Sequence, residues 1–149
     1  MTQEQAEKSV MTGRLVVVRH GQTDWNKAGR MQGSSDIPLN DRGREQAHEA
    51  GSALAEQNEF WNYLGSSPLS RAQETARIIG EHVGLSEIET VPGVIERAYG
   101  DAEGQTLSFE DSRHPQDLFA GVEPEADVYR RGVATLKDPV SYTHLRAHE

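Results

Sequence analysis

The stretch Leu15-Val-Val-Val-Arg-His-Gly21 decides how the fold is read. Leu15 to Val18 is a short, continuous, mostly β-branched apolar run, which reads as a strand buried on both faces of a parallel sheet. Outside it, Leu39, Ala47, Ala50 and Leu54 recur at helical spacing, and Asn40 stands where an N-cap belongs. Phe60 to Leu64 reads as the next strand. Ser67 and Pro68 read as an N-cap and first helical residue, with Leu69, Ala72, Ala76, Ile79 and Val83 on one apolar face and Gly84 as the stop. Ile88 to Val91 is a third strand, the stretch to Pro124 is mostly loop, and Ala126 to Lys137 is a last helix. Strands alternating with helices make an α/β layered domain whose site lies at the carboxyl ends of the strands. Arg19, His20 and Gly21 stand at such an end.

Composition narrows the chemistry. The chain has 149 residues, a net charge of −9 and no cysteine. One domain fits that length, and without thiols there is no disulfide, no thiolate metal site and no thiol nucleophile. An acidic chain repels polyanions, so nucleic acid and anionic membrane surfaces are poor partners. No apolar run approaches the roughly 20 residues that span a bilayer. The polar residues Met1 to Thr12 do not read as a secretory signal and are expected to be a flexible leader of a cytoplasmic protein, with Met11 as an alternative start. Residues 13–139 then form the domain. The last ten residues, Val140-Ser-Tyr-Thr-His-Leu-Arg-Ala-His-Glu149, resemble one reading frame of a transposase adapter used in library construction. They are set aside from fold reasoning, and His144 and His148 with them.

His20 follows a cation and precedes a glycine. Arg71 falls in the first turn of the helix that Ser67 introduces, where free backbone N–H groups and the dipole favour an anion. Two guanidinium forks and a helix terminus suit a phosphate dianion. A neutral imidazole between them can attack phosphorus in line, giving a phosphohistidine that water or an acceptor hydroxyl discharges. The blander alternatives are a structural histidine at a strand end and an arginine on a helix surface. No His/Asp cluster has metal-ligand spacing, so neither a metal nor another cofactor is implied.

Three segments, Arg19-His-Gly-Gln-Thr-Asp-Trp-Asn26, Ser66-Ser-Pro-Leu-Ser-Arg-Ala-Gln-Glu-Thr-Ala76 and Glu96-Arg-Ala-Tyr-Gly100, occur in the order seen in the histidine phosphatase family, also called phosphoglycerate mutase-like, which the chain resembles over about Leu15 to Lys137. The resemblance implies a three-layer α/β/α domain with a mostly parallel sheet. It implies that His20 is the phosphorylated nucleophile, that Arg19 and Arg71 grip the phosphate with Asn26 adding a side-chain hydrogen bond, and that Glu96 is the proton donor. Gly21, Gln22 and Thr23 of the first segment, with Gln32, Gly33, Arg97 and Tyr99, would border the substrate, a small phosphorylated metabolite. Read without the resemblance, Glu96 is a solvated partner for Arg97.

The family also uses a second histidine, followed by glycine after a later strand. His48 and His82 fall on helices, and His114 precedes Pro115 in a loop, so all three are read as structural. The domain is therefore expected to be incomplete at its C-terminus, the missing strand beginning after Lys137. Asp101-Ala-Glu-Gly-Gln-Thr106 lacks the lysine that the family's mutases place there, and Arg130-Arg131 lies within a helix where it reads as solvated surface. A phosphomonoester phosphatase is the expectation, with a bisphosphate-dependent phosphoglycerate mutase, or an inactive or phosphate-binding fragment, as alternatives.

Overall fold

A computed structural model describes residues 13–137; the leader, residues 138–139 and the adapter-like stretch with His144 and His148 lie outside them. Two helices dominate. Helix α2 (Asp41–Glu56) is capped by the Asn40 side chain, which accepts the Gly43 N–H at 2.9 Å, as the sequence predicts. It follows the single turn α1 (Asp24–Lys27) and packs along α3 (Ser70–Val83). The buried residues of α2 are all small, Gly43, Ala47 and Gly51, and at Gly51 the approach to α3 is close: the His82 ring lies where a Cβ would collide with it. Arg44 adds an ion pair to Glu74 across the two helices at 2.6 Å.

α3 ends as expected, on Gly84 in the left-handed conformation (φ 78°) with its N–H on the Gly80 carbonyl. Its start differs from the prediction. The helix begins at Ser70, with Leu69 in the cap position and no side-chain cap of its own; Ser67 instead accepts the Leu69 N–H at 3.2 Å. The acceptor missing from the local sequence comes from Asp36, 34 residues earlier, whose carboxylate takes the Ser70 N–H at 2.7 Å.

The strands are shorter than predicted. Among the described residues one sheet forms, in which β1 (Gly65–Ser66) runs parallel to β2 (Glu89–Thr90), with Glu89 N–H on Leu64 O at 2.9 Å and Val91 N–H on Ser66 O at 2.7 Å. Ile88–Val91 is thus confirmed as a strand site, whereas the Phe60–Leu64 strand is not: pairing begins only at its end, and Phe60 is 89% exposed. The Leu15–Val18 run is likewise in no ladder, and Val17 is 82% exposed rather than buried. The physical reason is that a strand needs a partner as well as an apolar sequence, and no described strand lies beside it. Beyond β2 the chain makes 3-10 turns at Pro92–Val94, Gly100–Ala102 and Pro115–Asp117, a short α4 (Phe109–Arg113), and α5 (Glu125–Lys137).

α5 corrects one reading of the charges. Arg130 is surface, paired with Asp127 one turn back at 2.7 Å, but Arg131 is not. It grips both Glu123 oxygens at 2.8 and 3.0 Å and donates to the carbonyls of Gly93 and Ile95 at 2.9 and 2.6 Å. This clamp fixes the chain immediately before Glu96.

Candidate active site

His20 leaves the apolar run and is held from both sides. Its Nδ1 lies 2.7 Å from the Gly21 carbonyl oxygen. That oxygen only accepts, so Nδ1 carries the proton and Nε2 keeps its lone pair. The Arg71 Nε–H points at Nε2 across 3.3 Å. Burial lowers the His20 pKa, the charges of Arg71 and Arg19 lower it further, and the Gly21 hydrogen bond and the Glu96 charge oppose them. The balance favours a neutral ring, the form that is nucleophilic.

Two facing glycines let the chain carrying His20 lie against the first turn of α2. A Cβ on Gly21 would run into the Gly43 backbone, and one on Gly43 into Gln22. Gln22 is further tied to α2 through its N–H on Gln46 at 2.8 Å and its carbonyl on the Asn40 N–H at 3.0 Å. Thr75, which sequence reading missed, links the two halves of the site: its hydroxyl accepts the Gly21 N–H at 3.3 Å and donates to the Arg71 carbonyl at 2.7 Å. The available signal was its place one turn after Arg71 on the same helix.

Arg71 is 1% exposed, the second residue of α3, and its guanidinium is secured by carbonyls of a loop: Nη1 donates to Ser35 at 2.7 Å and Nη2 to Gly33 at 2.6 Å. Burial lowers its pKa, while the carboxylates of Glu96, Asp36 and Glu103 raise it; a guanidinium stays charged at any working pH. Arg19 is exposed and makes no hydrogen bond or ion pair among the described residues, which leaves its fork available to an anion. A cavity of about 220 Å³ opens beside His20, lined by Arg19, Gly21, Gln46, Ala47, Ala50 and Thr75. Arg71 and Glu96 do not border it, so the geometry that matters is the hydrogen-bonded group of His20 and Arg71, not the cavity.

The remaining residues fall into two groups. Thr23 and Asn26 form a capping box on α1: the Asn26 side-chain Oδ1 accepts the Thr23 N–H at 2.8 Å, and the fully buried Thr23 hydroxyl accepts the Asn26 backbone N–H at 3.2 Å and donates to Gln32. The Asn26 amide oxygen is thus engaged by backbone. Glu96 is exposed, its carboxylate accepting the neighbouring Arg97 N–H at 2.9 Å, so the Arg97 guanidinium is not its partner. That guanidinium donates to the Glu123 carbonyl at 2.8 Å and to Glu125 at 3.3 Å and lies over the Tyr99 ring at 5.4 Å. Burial raises the Tyr99 phenol pKa. The charge of Glu96 nevertheless reaches both His20 and Arg71. His48 and His82, both exposed, are hydrogen-bonded to each other at 2.9 Å between α2 and α3. Among the described residues no group of three or more His, Asp or Glu is placed to hold a metal ion.

An imidazole beside a buried guanidinium now has a family context, since the model of the histidine phosphatase superfamily (branch 1) matches residues 15–141. The chain belongs to this superfamily. Among relatives of this histidine phosphatase domain, the uncharacterized phosphatase PhoE of Bacillus subtilis is 42% identical over 109 residues, covering 73% of this chain and 55% of the relative. A 2,3-bisphosphoglycerate-dependent phosphoglycerate mutase of Parvibaculum lavamentivorans is 42% identical over 105 residues, covering 69% of this chain and 49% of the relative. A mycobacterial glucosyl-3-phosphoglycerate phosphatase, solved with VO3, superposes with a TM-score of 0.68 at 32% identity, covering 83% of this chain and 62% of that one. The chain spans about half the length of the curated relatives it matches. The fold class is therefore the α/β class of the histidine phosphatases, although the described sheet is small.

Proposed function

We propose that the protein is a phosphomonoester phosphatase that passes the phosphoryl group through His20 and acts on a small phosphorylated metabolite. The observation that carries this reading is the His20–Arg71 pair: the Nδ1–H is spent on a carbonyl, and the lone pair of Nε2 faces a buried cation. In the first step the Nε2 lone pair bonds to phosphorus and the bond from phosphorus to the ester oxygen breaks, with Arg19 and Arg71 holding the equatorial oxygens. Glu96, entering this step as the carboxylic acid, gives its proton to the departing oxygen and is left as the carboxylate. In the second step water attacks phosphorus, Glu96 takes the proton from that water, the P–N bond breaks, and inorganic phosphate leaves. A cytoplasmic setting belongs to the same proposal. No helix among the described residues is long and apolar enough to cross a membrane.

The 42% identity to a phosphoglycerate mutase favours a second reading, in which an acceptor hydroxyl replaces water. The engagement of Arg131 by Glu123, Gly93 and Ile95 weighs against it, because that cation is not free to hold a second phosphate. The two readings separate on one comparison of phosphate release with phosphoglycerate isomerisation, with and without a bisphosphate. Release that needs no bisphosphate supports the phosphatase, and bisphosphate-dependent isomerisation supports the mutase.

A further inference from the structure

Glu103 carries four hydrogen bonds on one carboxylate and has no part in the two steps above. Oε1 accepts the Ser34 N–H at 2.7 Å, the Ser34 hydroxyl at 3.1 Å and the Tyr99 N–H at 3.2 Å, and Oε2 accepts the Ser35 hydroxyl. Burial opposes its charge, but donation from Ser35, Tyr99 and Ser34 outweighs burial and holds the carboxyl below its ordinary range. The loop so gathered, residues 33–36, holds Arg71 through the carbonyls of Gly33 and Ser35, and caps α3 through Asp36. Gly33 has φ 54°, and a Cβ there would meet the Glu103 carboxylate and the Tyr99 ring. The loop lies outside every helix and strand ladder, so these hydrogen bonds do the work that regular pairing does elsewhere.

We propose that Glu103 is a positioning residue for Arg71: by fixing the Gly33 and Ser35 carbonyls, it aims the guanidinium at the phosphate that His20 receives. The proposal rests on the reading of Arg71 as a phosphate ligand. A misplacement of about 1 Å in a group that orients a reactant costs on the order of a hundredfold in rate, so a loosened loop has a measurable effect without any loss of a group that touches substrate. Ser35 acts in the same chain of contacts, since its hydroxyl meets Glu103 and its carbonyl meets Arg71.

The test uses the full 149-residue chain and inorganic phosphate as the probe, with affinity measured by calorimetry and the Arg71 Nε–H followed by nitrogen-edited NMR. Glu103→Ala is expected to weaken phosphate binding about tenfold or more, and to shift the Arg71 Nε–H signal and speed its exchange with water. Glu103→Gln, which keeps an acceptor oxygen, and Ser35→Ala are expected to fall between it and the wild type. If Arg71→Ala loses phosphate while Glu103→Ala keeps both the affinity and the Arg71 signal, the positioning role is overturned and the phosphate reading survives. A lower melting temperature alone, with affinity and signal unmoved, likewise overturns it. If Arg71→Ala binds phosphate as tightly as wild type, the phosphate reading falls; the Arg71 signal in the Glu103 variants then decides positioning, movement supporting it and constancy overturning it. Should Glu103→Ala fail to fold, Glu103→Gln and Ser35→Ala are read by the same criteria.

Discussion

The Nε–H of Arg71 and the Nε2 of His20 face each other across 3.3 Å, and the other ring nitrogen of His20 is already committed to the Gly21 carbonyl. At 3.3 Å this hydrogen bond is long, so in the proposed reaction a phosphate oxygen takes the N–H without a large loss. The same cation makes protonation of the imidazole unfavourable.

The first consequence is a pH dependence with a definite sign. The His20 pKa is lowered, chiefly by burial and then by Arg71 and Arg19, from an ordinary 6.5. Between the folded and unfolded values the unfolded chain binds more protons, so stability is fully present above about 6.5 and falls as pH drops through the folded pKa. An NMR titration of His20 is expected to show a midpoint below 6.5, and His20→Asn is expected to flatten the acid side of the stability profile. A midpoint above the ordinary value contradicts this.

Glu96 sits at the end of the segment that Arg131 clamps, exposed and bonded to the Arg97 N–H. In its proposed role as proton donor it matters only to leaving groups that need a proton. Glu96→Gln is expected to reduce kcat/KM for alkyl phosphates by about a hundredfold and for p-nitrophenyl phosphate by less than about tenfold. Equal losses on both substrates would reassign the residue.

Gly43 offers a test of the packing that seats His20. Glycine to alanine inside a helix ordinarily stabilises by about 1 kcal/mol. Here the added Cβ would meet Gln22 backbone, so Gly43→Ala is expected to reverse the sign, destabilising by about 1–3 kcal/mol. Urea denaturation of the two proteins measures it. An unchanged or higher midpoint contradicts the close approach.

Asp36 and Arg131 act at a distance along the chain. Asp36→Ala removes the acceptor at the start of α3 and is expected to cost about 0.5–2 kcal/mol, as loss of a helix cap does. The Ser70 N–H also lowers the Asp36 pKa, so this contribution is present above the ordinary carboxyl range and lost as pH falls through the folded value. In thermal melts Arg131→Ala is expected to lower Tm by several degrees, while Arg130→Ala, at an exposed pair, leaves it nearly unchanged.

What the sequence made legible follows from which interactions are local. Helix α2 shows its cap at Asn40 and α3 its stop at Gly84, because those signals lie within a turn of the residues they govern. Strand extent was not legible, since Leu15–Val18 and Phe60–Leu64 have strand-like composition but pairing depends on neighbours elsewhere in the chain. His20 and Arg71 are brought together as the sequence motifs implied. The scaffold around them was hidden, because Asp36 to Ser70, Gly33 to Arg71 and Glu103 to Ser34 are contacts between loops and helices 34, 38 and 69 residues apart. Arg131 was misread for the same reason: nothing in its helix announces the carbonyls of Gly93 and Ile95.

The central claim is that Nε2 of His20 receives the phosphoryl group. Its most direct test is rapid quenching with a labelled phosphomonoester, followed by location of the label by peptide mapping and phosphorus NMR. The account predicts an acid-labile, base-stable phosphohistidine at His20, bonded through Nε2, and no label in His20→Asn. Label that persists in His20→Asn, or that lies on Nδ1, would contradict it.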